Sequence, residues 1–205
     1  MSGSRETNSG RLTPRQGGGD DRSWWIVAGA VYGPLCVACM AWYGWSGGLD
    51  AIVERQMGDT PVRDAALGLI LGVGASGLSR TCVERGRLRR MADVLGAQLG
   101  PLSPGTTLAL ALASGLGEEW LFRGVILDSW GWVASVLVFA VAHASPDPAL
   151  RPWPVMALVM GLVFVALAVW TNALMAPVVL HITVNALNLR WLVRRHQEQA
   201  LGPRH

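Results

Sequence analysis

Six polar residues in the second half of the chain stand in apolar surroundings. Glu118, Glu119 and Arg123 follow an uncharged stretch ending at Gly117 and precede Val125, Ile126 and Leu127. His143 closes the run Phe139, Ala140, Val141, Ala142, and His181 and Asn185 lie among Leu180, Ile182, Thr183 and Val184. Residues four apart share a helix face, so Glu119 with Arg123, Phe139 with His143, and His181 with Asn185 are same-face pairs. Glu118 points about 100° away from Glu119, so the two carboxylates serve different purposes. A glutamate with two imidazoles suits water activation, either by a carboxylate that deprotonates water or by a metal ion on the same groups. An imidazole with an amide one turn later offers two donors for a tetrahedral oxyanion.

Other hydrolytic arrangements fail on the residues. His143 is followed by Ala144 and His181 by Ile182, so there is no His-Glu-x-x-His zinc helix. Gly74, Ala75, Ser76, Gly77, Leu78 lacks the second glycine of a serine elbow, and no histidine is near it in sequence. Asp128 falls at the end of an apolar run, which leaves no aspartyl dyad within one. Cys36, Cys39 and Cys82 are too few for a disulfide scaffold, and the first two sit in an apolar run as small hydrophobes.

The elements that must position these residues follow from where charge is missing. Of 205 residues, 51% are hydrophobic and 15% charged, and the mean hydropathy is +0.35. That balance excludes a disordered chain and argues against an ordinary soluble enzyme. All 17 basic residues are arginine, and a net charge of +3 so scattered does not make a nucleic-acid groove. Uncharged runs span 24–49, 65–79, 94–117, 129–146 and 152–189. A helix needs roughly 20 apolar residues to cross a hydrocarbon core of about 30 Å, so the last run holds two crossings, with a turn at Thr171 and Asn172 before Pro177. The expectation is an all-α, multi-pass transmembrane bundle of about six spans with the polar cluster inside it. Helical rise then places Glu118, His143, His181 and Asn185 at a shared depth, roughly 12 to 21 Å below one surface. Two carboxylates and an arginine at that depth would cost about 8 to 10 kcal/mol if unpaired, which points to a paired or water-filled functional cluster.

Trp24 and Trp25 at one end of the first run and Trp42 and Trp45 at the other suit the two headgroup layers. Gly68 and Gly72 form a small-residue pair at which two helices can approach, a weak signal in a glycine-rich chain. Residues 1–23, rich in Gly, Ser and Arg, read as a disordered cytoplasmic tail, and 24–97 as two membrane helices with a basic loop. Residues 98–192 read as the catalytic membrane core and 193–205 as a basic tail. Arg80, Arg85, Arg87, Arg89 and Arg90 crowd one loop, whereas 46–62 carries Asp50, Glu54 and Asp59 against Arg55 alone. The arginine loop and both termini are therefore expected on the cytoplasmic side of a cell (plasma or inner) membrane.

Glu-Glu-x-x-x-Arg at 118–123, Phe-x-x-x-His at 139–143 and His-x-x-x-Asn at 181–185, with Met175 to His181 leading into the last, resemble the CPBP family of intramembrane proteases. That family includes the type II CAAX prenyl endopeptidases and the bacteriocin-immunity Abi proteins, and the resemblance covers roughly residues 100–192. It implies hydrolysis of a peptide bond in a membrane-anchored protein or peptide. By resemblance Glu118 is the general base, His143 shares the water, His181 and Asn185 stabilise the oxyanion, Arg123 orients the acidic pair and Glu119 supports. It implies no required cofactor, with a divalent metal such as zinc on Glu118, His143 and His181 as the alternative. The expected partners are that substrate and the lipid bilayer, with no nucleic acid and the oligomeric state open. Two rivals stand beside this reading: a non-catalytic partner-binding or immunity protein of the same fold, and a proton-coupled transporter, disfavoured because no inverted repeat is visible.

Overall fold

The computed structural model describes residues 20–84 and 86–201, and every described element is helical. Most of the tail expected at 1–23, and the last four residues of the chain, lie outside the described residues. The chain forms α1 (Asp21–Ser46), α2 (Leu49–Met57), α3 (Pro61–Val83), α4 (Gly86–Leu99), α5 (Pro104–Glu119), a π-helical segment (Trp120–Ile126), α6 (Leu127–Ala142), a short 3-10 turn (Pro148–Leu150), α7 (Pro152–Thr171) and α8 (Met175–Leu201). Five stretches are long and apolar enough to cross a membrane: Asp21–Ser46, Pro61–Val83, Pro104–Ala142, Pro148–Thr171 and Met175–Leu201. Large apolar side chains such as Val37, Ile70, Val141 and Val169 are exposed on their outer faces. A bilayer solvates such surfaces, and the fold is a multi-pass membrane bundle.

The third of these stretches holds both the third and the fourth expected runs, because it doubles back. Gly131 breaks its helical course with φ 81° and ψ 175°, a conformation open to glycine. Beyond it the chain returns beside its own first arm, where Ser135 Oγ donates to the Phe122 carbonyl at 2.7 Å. The Phe122 and Phe139 rings then meet edge to face at 5.0 Å. The returning helix from 132 to 142 rises only about 16 Å, so it ends at the level of the polar cluster, and residues 143–151 carry the chain on to the start of α7. At the other predicted turn, α7 ends on Asn172 in the left-handed conformation, φ 51°.

Two segments depart from the run boundaries. Residues 94–99, expected in the third span, belong instead to α4, which is amphipathic and buries Met91, Ala92, Gly96 and Leu99. Gly100, at φ 69°, and Pro101 separate it from α5, whose N-cap Ser103 accepts from the Thr106 N–H. Helix α8 continues to Leu201 through the segment expected as a tail, because Val193 is buried and Arg195 and Gln199 both donate to Asp93 of α4 at 3.0 Å.

Glycines set how closely the helices meet. Gly68 and Gly72 of α3 lie against α8, where a Cβ at the first would collide with the Ala176 carbonyl and at the second with Thr183. Gly115 of α5 faces Ile182 of α8, whose amide nitrogen would sit 2.9 Å from an added Cβ. One turn on from Gly115, Glu119 is thereby carried to the neighbour of Ile182, His181. Hydrogen bonds between residues far apart in sequence tie each end of the bundle. Trp24 Nε1 donates to the Leu99 carbonyl at one end; at the other, the Leu174 N–H donates to the Arg55 carbonyl at 2.8 Å.

Candidate active site

Helix α5 and the π-helical segment present Glu118, Glu119 and Arg123; the C-terminus of α6 presents His143; α8 presents His181 and Asn185. Glu119 and Arg123 are fully buried. Arg123 Nη1 donates to Glu119 Oε1 at 3.1 Å and Nη2 to the Gly161 carbonyl at 3.4 Å. Its guanidinium carbon also lies 4.2 Å from the Phe139 ring centroid and 4.8 Å from that of Phe164. The cation is thus paired on one side and held over aromatic faces on the other, which offsets its removal from water.

Glu119 Oε1 accepts a second bond, from His181 Nδ1 at 2.7 Å. Ionised Glu119 can only accept, so His181 carries a proton on Nδ1, and its ring, stacked on Phe164 at 4.9 Å and 12°, turns Nε2 toward Glu118. His143 Nδ1 stands 2.8 Å from the Phe139 carbonyl, again an acceptor only, so this Nδ1 is protonated and the Nε2 of the neutral ring is a lone-pair acceptor. Backbone and carboxylate partners therefore set both tautomers.

Glu118 faces a different direction from Glu119, as their 100° offset requires. Its Oε1 accepts from the Tyr32 hydroxyl at 2.9 Å. Its Oε2 has no hydrogen-bond partner among the described residues and lies 3.9 Å from Nε2 of both His143 and His181. Asn185 is one turn further along α8, with Nδ2 donating to Ser114 Oγ at 2.8 Å and a second amide proton left for another acceptor. Glu118, His143, His181 and Asn185 all line one cavity of about 390 Å³, whose other walls are largely apolar, from Trp24, Met91, Leu95, Leu99 and Leu192. The structure therefore brings all six sequence-predicted residues into one cluster. Four face the cavity, while Glu119 and Arg123 stand behind His181.

Residues 101–187 match the family model described as type II CAAX prenyl endopeptidase Rce1-like. This stretch of the chain is similar to that family. The Rce1-like segment begins just ahead of α5 and ends within α8, so it contains all six polar residues, whereas α1 to α4 precede it. No curated protein and no solved structure matches the chain.

Two site features carried no sequence signal. Tyr32, on α1, precedes the Rce1-like segment, and a lone hydroxyl in an apolar run reads as an interfacial or core tyrosine. Ser114 reads as a small packing residue until Asn185 is seen to bond it. The donor set Glu118, His143 and His181 is chemically that of a His2Glu zinc site, yet among the described residues no three such groups are placed to hold a metal ion. Ligand atoms on a tetrahedral zinc lie about 3.3 to 3.5 Å apart, and both glutamate–histidine separations here are 3.9 Å.

Proposed function

We propose that this protein is an intramembrane endopeptidase that hydrolyses a peptide bond of a membrane-anchored protein or peptide with a water activated by Glu118 and His143. The observation that carries this reading is the unpartnered Glu118 Oε2 facing His143 Nε2 across 3.9 Å at the cavity wall. That gap is too long for a direct hydrogen bond and suits one water within about 2.8 Å of each atom. Both atoms are acceptors, so the water gives one proton to each and turns a lone pair toward the cavity.

The reaction follows from these roles. The water oxygen attacks the scissile carbonyl carbon as its proton passes to Glu118 Oε2. The oxyanion that forms is met by the free amide proton of Asn185 and, with Nε2 protonated, by His181, whose Nδ1–H Glu119 holds. Collapse breaks the C–N bond, and Glu118 returns its proton to the leaving nitrogen. The products are a carboxylic acid and an amine, and the enzyme is unchanged. Arg123 holds Glu119, and through it the ring of His181, and no metal takes part. The similarity to prenyl endopeptidases makes a protein or peptide with a prenylated C-terminus the first substrate to test. The arginine-rich end of the bundle, with Arg80, Arg87, Arg89, Arg90, Arg190 and Arg194, faces the cytoplasm of the cell membrane, and both chain termini lie on that side.

Comparative membrane proteomics of wild-type and Glu118→Gln strains tests the function. The expected result is a short set of anchored proteins left uncut in the variant. An unchanged membrane proteome with the variant well expressed would favour a partner-binding role instead.

A further inference from the structure

Tyr32 belongs to none of the three motifs and lies outside the Rce1-like segment, yet its hydroxyl makes the single side-chain hydrogen bond that Glu118 receives among the described residues. We infer that Tyr32 of α1 is a positioning residue for the base: it pins one carboxylate oxygen of Glu118 so that the other faces the two histidines. This rests on the peptidase reading above and extends it to the N-terminal helix.

Three independent features meet at this contact. The first is direction: the 2.9 Å bond is to Oε1, and the atom left without a partner is Oε2, placed equally, at 3.9 Å, from His143 and His181. A glutamate side chain unpinned at the edge of a cavity has several rotamers to choose from, and only some of them point Oε2 at both imidazoles. The second is packing. Gly117, the residue before Glu118, lies under α1, where an added Cβ would sit 3.2 Å from Tyr32 Cδ1 and 3.6 Å from Cys36 Sγ. The close approach of α1 to α5 at that glycine is what lets the phenol reach the carboxylate. The third is the setting: Tyr32 lines the same cavity as Glu118, His143, His181 and Asn185, and is the one tyrosine among its walls.

The other charged and titratable groups around Glu118 do different work. Glu119 and Arg123 are paired with each other, and Glu119 also holds His181; His143 and His181 face Oε2 without bonding it directly. No other donor reaches Oε1 among the described residues, so removing the phenol oxygen leaves Glu118 free to turn. Tyr32 keeps its proton throughout, and its effect is on the fraction of Glu118 in the productive geometry.

The test uses the full chain in liposomes with a quenched fluorescent peptide ending in a prenylated Cys-aliphatic-aliphatic-X sequence. Tyr32→Phe removes one oxygen and is expected to lower kcat about 10- to 100-fold with KM changed less than about twofold, as misplacement of a reacting group does. Tyr43→Phe, on the same helix and away from the cavity, is the control and retains wild-type kcat. A second readout needs no substrate. The infrared carboxylate band of Glu118, isolated as the difference between wild type and Glu118→Gln, shifts in Tyr32→Phe because a hydrogen bond to that carboxylate is lost. Wild-type kcat together with an unmoved band overturns the inference. A shifted band with wild-type kcat leaves the contact real and the positioning role refuted. If wild type does not cut the peptide and Glu118→Gln changes nothing in the membrane proteome, the peptidase reading fails, and an unmoved band then separately refutes the Tyr32 contact.

Discussion

Glu119 and Arg123 show how a membrane bundle can carry buried charge. Each is fully buried, and each leaves one atom, Glu119 Oε2 and Arg123 Nε, without a hydrogen bond among the described residues. Their pairing, the His181 bond and the aromatic faces of Phe139 and Phe164 offset the cost of burial. Removing one partner strands the other, which typically costs about 3 to 5 kcal/mol. Glu119→Gln and Arg123→Met are each expected to lower unfolding free energy by roughly that amount in detergent denaturation. Replacing both together should cost less than the sum of the two, since no lone charge then remains. Glu119→Gln should also slow cleavage far more than it weakens substrate binding, because His181 loses the carboxylate that orients its ring. A double variant whose loss equals the sum would show that the pair is not coupled.

At the scale of elements, the site depends on how near α8 comes to α5. Gly115 faces the backbone of Ile182, so Gly115→Ala must push α8 outward and lengthen the His181–Glu119 bond. A loss of about 1 to 3 kcal/mol in stability is expected from such overpacking. A larger proportional loss of activity than in Gly77→Ala, where an added Cβ meets nothing within 4 Å, would trace the effect to the site. Helix α4 forms one wall of the cavity and is tied to α8 through Asp93. Partial burial raises the Asp93 carboxyl, but hydrogen bonds from Gln199 and Arg195 and the Arg195 charge outweigh it, leaving the group below its ordinary value. A lowered carboxyl contributes its stabilisation in full above the ordinary carboxylate range and loses it as pH falls through the lowered value. Below about pH 4 the α4–α8 tie is therefore expected to loosen. Spin-label distances between the two helices should lengthen on acidification in wild type and change less in Asp93→Asn.

The molecule as a whole places its ends together. Asp93 of α4 meets Arg195 near the end of α8, and Trp24 at the start of α1 meets Leu99, so the two ends of the described chain lie at the same end of the bundle. Helix α2 covers the opposite end, where Arg55 pairs with Asp128 at 3.1 Å and Trp120 Nε1 donates to Gln56 at 2.9 Å. With the arginine-rich end cytoplasmic, a C-terminal reporter active only in the cytoplasm is expected to give signal. In a background lacking Cys36, Cys39 and Cys82, Val53→Cys, exposed on α2, should be labelled by an impermeant maleimide added from outside. The reverse pattern would invert the orientation and with it the side from which substrate reaches the cavity.

Much of this architecture was legible without coordinates. Lengths of uncharged sequence determine helices that need lipid, because a backbone in hydrocarbon must satisfy itself internally. The placement of Glu118, His143, His181 and Asn185 along those helices determined their common depth, because helical rise is nearly constant. The 100° offset of adjacent helical residues already separated Glu118 from Glu119. What sequence could not supply was everything that depends on which helix lies beside which. The third run began late because α4, whose apolar face pairs with α8, is amphipathic and not a span. Tyr32 reaches Glu118 across 86 positions only because Gly117 admits α1. Periodicity is a property of neighbours along the chain, whereas contact between helices is decided by the shape each presents to another, and only the folded bundle fixes that.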